Sequence, residues 1–66
     1  THDTLIAAID AELMRIIGGD GEFVTAAGNA TSSAAVRAMT ATADVATLTR
    51  ILAGLRATTA ITSTET

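Results

Sequence analysis

The chain contains no cysteine, lysine, tryptophan or tyrosine, and only one phenylalanine (Phe23) and one histidine (His2) in 66 residues. Without cysteine there is no disulfide to staple a small fold, and that absence fits any redox compartment. A single imidazole with no thiols excludes a zinc-type ligand cluster. A domain of this length lies near the lower limit for independent folding. With no staple and no metal, association with further copies or a larger partner is the remaining source of stability. Positive charge is confined to four scattered arginines, Arg15, Arg37, Arg50 and Arg56, against seven acidic residues, for a net charge of −3. Nothing resembles the basic patch or stripe of a nucleic-acid-binding protein, so at most non-specific contact with DNA is expected. No stretch approaches the roughly 18 consecutive apolar residues of a membrane span. The first residues carry neither a basic nor an apolar signal region, so no secretory signal is expected.

Groups that could do chemistry are equally sparse. His2 lies in the frayed terminus ahead of the first helix, where it reads as a solvated residue. Asp10 and Glu12 diverge by about 200° on a helix and cannot share a proton or a metal. Asp20-x-Glu22 lacks the spacing of a calcium loop. Gly18-Gly19-Asp20-Gly21 follows a helix, has no lysine and carries an acid at its centre, so it reads as a helix stop and turn, not a phosphate cradle. Asn29-Ala30-Thr31 matches the glycosylation acceptor pattern, which has no use without a secretory route. Ser32 and Ser33 have no base beside them. The sequence therefore predicts no enzyme, no cofactor and no metal site.

What is present is two amphipathic runs, Leu5–Ile17 and Asp44–Leu55, around a middle of Gly, Thr, Ser and Ala. In the first, Leu5, Ile6, Ile9, Leu13, Ile16 and Ile17 fall within an arc of about 120°, the width of a core-facing stripe. Asp10, Ala11, Met14 and Arg15 point elsewhere. Asp3 or Thr4 can cap its start, and Gly18-Gly19 ends it. In the second run, Asp44, Val45, Leu48, Ile51, Leu52 and Leu55 share one arc, while Arg50 and Arg56 suit the negative end of the helix dipole. Gly54 in that last turn either allows a close backbone approach or marks early fraying.

Glu22–Ala27 reads as a short strand and Gly28–Ser33 as a hairpin loop. Ala34–Thr42 reads either way. As a strand it sets Val36, Ala38 and Thr40 on one face; as a helix it starts at a Ser32 or Ser33 cap and carries Val36 and Met39 together. The strand is the reading adopted for the second hairpin arm. The expected fold is α+β, helix – short β-hairpin – helix, as a single small domain over residues 1–57. Residues 58–66 are expected to form an extended or disordered tail that orders on docking.

This order of parts resembles a known family. A helix, a glycine-bounded break, a hairpin, and then Val36-Arg37-Ala38-Met39-Thr40-Ala41-Thr42 running into a helix with Leu48, Ile51 and Leu55 inside look like the gpW-type head–tail joining proteins of tailed bacteriophages. The resemblance covers roughly residues 4–56, and its most specific part is Thr40-Ala41-Thr42. It implies a structural virion protein: a homo-oligomeric adaptor or stopper ring below the portal that helps retain the genome and attach the tail. The implied partners are the portal protein and the next neck or tail protein, and the implied places are the virion neck and, during assembly, the host cytoplasm. The Ala-rich helix sides (Ala7, Ala11, Ala46, Ala53) would allow close approach between neighbours. The expected contact residues are Thr58, Thr59, Ile61 and Thr62 in the tail and Asn29 and Ser32 at the hairpin tip. Arg37, Arg50 and Arg56 are candidates for cross-subunit ion pairs. Two other readings stay open: a small intracellular protein-binding regulatory module, and an all-α self-assembling subunit.

Overall fold

In the computed structural model, which describes residues 1–59, the elements run α1 (His2–Ile17), β1 (Glu22–Val24), β2 (Ala30–Ser32), α2 (Ser33–Thr40) and α3 (Val45–Ala57). The architecture is α+β and mostly helical: a helix, a two-stranded antiparallel hairpin, then helices. The hairpin excludes an all-α fold.

α1 begins earlier than its apolar stripe. Thr1 caps it, its hydroxyl accepting from the Thr4 N–H at 3.3 Å, and Asp3 lies in the first turn beside the positive helix end. Gly18 ends it in the left-handed conformation (φ +75°), with its N–H bonded to the Met14 carbonyl at 2.9 Å. Glycine adopts that backbone without a Cβ penalty. Ile9, Leu13 and Ile16 are buried, with Leu5, Ile6 and Ile17 packed at their edge, so the stripe read from the sequence is the face that packs.

The hairpin pairs Glu22 with Ser32, Phe23 with Thr31 and Val24 with Ala30. Alternation along β1 turns Phe23 into the core and leaves Glu22 and Val24 exposed. At the tip, the Thr25 N–H donates to the Asn29 carbonyl (2.9 Å) and the Gly28 N–H to the Thr25 carbonyl (2.8 Å). Gly28 sits at φ +88°, the left-handed position that closes a three-residue hairpin loop after a β-turn.

The second arm is therefore not where the sequence reading put it. Ala30–Ser32, expected within the loop, is the strand, and most of Ala34–Thr42, expected as the strand, is α2. The tight turn at Gly28 brings the chain back after three residues. Ser32 then caps a helix, its hydroxyl accepting from the Ala35 N–H at 3.1 Å. Ala34, Ala35 and Ala38 favour the helix intrinsically. Burial falls on Ser33, Val36 and Thr40, a helical spacing, whereas Ala38 is exposed.

α2 is not continuous with α3. The chain leaves the helix through Ala41, Thr42 and Ala43, and Asp44 adopts an extended backbone. Asp44, read as part of the buried stripe, is instead the N-cap of α3. One of its carboxylate oxygens accepts from the Thr47 N–H at 2.8 Å. Val45 is half exposed, while Leu48, Leu52 and Leu55 are buried. They meet the α1 stripe, Phe23 and Val36 in one core of eight buried apolar side chains. Arg15, expected to point away, closes the helix pair: its guanidinium donates to the Leu55 carbonyl (2.8 Å) and to Glu12 (2.7 Å). The Leu55 carbonyl lies in the last turn of α3, where carbonyls lack helical partners and attract a cation.

The cap gives a pH signature. The hydrogen bond from the Thr47 backbone holds the Asp44 carboxyl below its ordinary value of 3.8. A depressed folded value means that the stabilisation is present above the unfolded value and is lost as pH falls through the folded one. Asp44→Asn keeps the capping oxygen but has no charge to titrate. Wild type is expected to lose its stability advantage over Asp44→Asn as pH is lowered below about 4. Chemical denaturation at pH 7 and pH 2.5 checks this; an unchanged difference would contradict the ionised cap.

Candidate docking surface

The hairpin turn, α2 and α3 enclose a groove of about 460 Å³. Val36 and half-exposed Met39 from α2 and Ile51 and Leu55 from α3 give it an apolar lining, and the hairpin contributes Ala26, Asn29 and Thr31. Among the described residues, Arg50 is the one charged residue along it. Gly54 also lines the groove, and a Cβ there would meet nothing within 4 Å, so its place in α3 reflects neither a close approach nor an end to the helix. A second depression, of about 530 Å³, is lined among the described residues by the six strand residues alone, Glu22–Val24 and Ala30–Ser32. With walls from one ribbon alone it is an open sheet surface, whereas the first is bounded by three elements.

Thr58 ties together two of the elements that line the first groove. The Thr58 hydroxyl accepts from the Ala26 N–H (3.2 Å) and donates to the Gly54 carbonyl (2.9 Å), while its own N–H bonds the Leu55 carbonyl (3.0 Å). One side chain thereby fixes the hairpin turn to the end of α3 and satisfies a terminal helix carbonyl. Thr58, expected in a free tail as a contact residue, is 2% exposed and belongs to the packed domain. Thr59 is exposed; Ile61 and Thr62 lie outside the described residues.

The other expected contact residues divide. Asn29 and Arg50 both line the groove. Ser32 does not line it: its hydroxyl is engaged in capping α2. Arg37, expected to pair across subunits, pairs within its own chain, with Asp20 at 2.7 Å and Asp10 at 3.6 Å. The hydrogen bond to Asp20, with the charges of Asp20 and Asp10, raises its pKa above the ordinary value. Both partners are exposed, so these pairs orient the turn after α1 more than they stabilise it. Arg56 is exposed in the last turn of α3 and makes no ion pair among the described residues.

The sequence reading missed Met39, Ile51 and Gly54 as members of one surface. Val36 and Met39 share a side only if Ala34–Thr42 is helical, and the Ser32-Ser33 cap was the signal for that. Among the described residues no cluster of His, Cys, Asp and Glu could hold a metal ion, and no helix is long and apolar enough to cross a membrane. The chain matches no protein-family model, and neither a curated protein nor a solved structure is significantly similar to it.

The Thr58 anchor is testable. Thr58→Val keeps the shape and removes both hydroxyl bonds, leaving the part-buried Ala26 N–H without its partner. Urea unfolding should show a loss of about 1–3 kcal/mol. Wild-type stability in the variant would show that the hydroxyl does not join hairpin to helix.

Proposed function

We propose that the chain is a structural assembly subunit of the gpW type, an adaptor or stopper in the neck of a tailed bacteriophage that joins head to tail as part of a homo-oligomeric ring. The observation that carries this reading is the order of parts within residues 1–59: a capped helix, a two-stranded antiparallel ribbon and a last helix sharing one core. The support is narrower than the sequence suggested. Thr40-Ala41-Thr42, the most specific point of resemblance, is the end of α2 and a loop, and α2 stands between ribbon and last helix.

A ring subunit needs two different, mutually complementary surfaces, because a closed ring is built from heterologous contacts. The fold offers separate candidates. One is the exposed side of α1, with Ala7, Ala11 and the 60% exposed Met14; the other is the outer face of the ribbon, with Val24. No α1 residue lines the groove, so it is separate from the first of these surfaces. The groove also suits the second reading, a small protein-binding module outside any virion.

The test is to purify tailed virions from the source of the chain, identify their proteins by mass spectrometry and image the neck by electron cryo-microscopy. The neck reading predicts the chain in the particle, in many copies encircling the channel between portal and tail. Its absence from the particles, with the chain recovered instead on a soluble protein partner, would replace the neck reading with the binding-module reading.

A further inference from the structure

We propose that α2 is a lid: it opens from the rest of the fold as one unit, and the Arg37 guanidinium latches it shut. The inference goes beyond the neck reading and does not rest on it. A segment opens on its own where it buries few apolar side chains and leaves much of its surface to solvent. α2 has eight residues, too few to hold a helix without tertiary packing. Of the eight buried apolar side chains in the core it supplies Val36 alone, whereas α1 and α3 supply three each. Ala34, Ala35, Ala38 and Met39 are exposed. The buried Thr40 spends its hydroxyl inside the helix, on the Arg37 carbonyl at 2.9 Å. Past it, the Thr42 N–H to the Met39 carbonyl and the Ala43 N–H to the Thr40 carbonyl are both 3.4 Å, long for such bonds.

Among the described residues, two polar side chains of α2 bond to other elements, and they differ in kind. Ser33, at the start of the helix, is fully buried and bonded to Gly21, so that end is the fixed one. Arg37, one turn on, reaches Asp20 in the turn after α1 (2.7 Å) and Asp10 on α1 (3.6 Å). All three charged groups are exposed, so this tie is weak and screened by salt. It closes α2 without locking it. Ser33 serves as the pivot, and Ala41–Ala43 supply the slack at the other end. Val36 and Met39 line the groove together with Ile51 and Leu55 of α3, so lifting α2 widens it. Access to the groove is thereby set by a charge pair whose residues do not line it.

Native-state hydrogen exchange of the full chain tests this, because so short a helix unwinds once lifted from the core and releases its amides together. The Arg37, Ala38, Met39 and Thr40 amides should share one protection factor, about tenfold or more below that of the Leu13 and Leu52 amides. Arg37→Gln should lower the protection of these four positions about two- to fivefold and leave Leu13 and Leu52 unchanged. Asp20→Asn should act in the same direction, and about 1 M NaCl should do so in wild type but not in Arg37→Gln. Protection of α2 equal to that of Leu13 and Leu52 would overturn the lid, since α2 would then open only with the whole fold. Protection that climbs steadily from Thr40 back to Arg37 would replace the single unit with a fraying end. Exchange unaffected by Arg37→Gln, or quickened alike in α2 and in the two long helices, would overturn the latch.

Discussion

The fold depends on how a three-residue ribbon is closed at its open end, and Ser33 does that. It is fully buried, its N–H donates to the Gly21 carbonyl (3.0 Å), and its hydroxyl accepts from the Gly21 N–H (3.0 Å) while lying 3.3 Å from the same carbonyl. In a longer strand the Gly21 N–H would be met by the Ser33 carbonyl. Here the chain is already turning into α2, and the hydroxyl stands in for that carbonyl. Two strands of three residues are not stable alone in water. The Gly28 turn fixes one end, the Gly21–Ser33 exchange fixes the other, and Phe23 ties the middle to the core.

Several consequences follow from that one junction. It sets the residue at which α2 starts, and with it which side of α2 carries Val36 and Met39. Those two residues, the hairpin turn and α3 together line the groove, and Thr58 joins the turn to α3. Arg15 performs the matching task at the far helix pair by meeting the terminal carbonyl of Leu55. Polar side chains bound to backbone groups thus hold the elements in register, and the eight apolar side chains fill the space between them. With so small a core, each such bond is a large share of the net stability.

The two long helices were legible because thirteen or more residues give the 3.6 period enough turns to be read. The same stripes, Ile9–Leu13–Ile16 and Leu48–Leu52–Leu55, are buried in the structure. The hairpin was legible in its first arm, where Phe23 and Val24 are strand formers, and not in its second. Ala30-Thr31-Ser32 has no large side chain, and its pairing follows from the Gly28 turn and the Gly21–Ser33 bonds, which are tertiary. Ala34–Thr42 carries alanines for a helix and threonines for a strand, and the cap at Ser32 decided between them. The candidate surface was less legible still. Asn29 and Arg50 were read as contact residues for other reasons, and Thr58 was placed in a tail because nothing in the sequence shows that Ala26 has an N–H to offer it. Arginine partners were equally hidden, since Arg15 and Arg37 each depend on a residue or carbonyl far away in the chain.

The most direct test of the account removes the Ser33 hydroxyl alone. In Ser33→Ala the Gly21 N–H loses its acceptor in a part-buried site, and a loss of about 1–3 kcal/mol in urea unfolding is expected. Hydrogen exchange should then show faster opening of the Gly21 and Phe23 amides and of the first turn of α2. A variant with wild-type stability and unchanged protection at Gly21 would contradict the claim that this junction fixes the ribbon, the start of α2 and the groove between them.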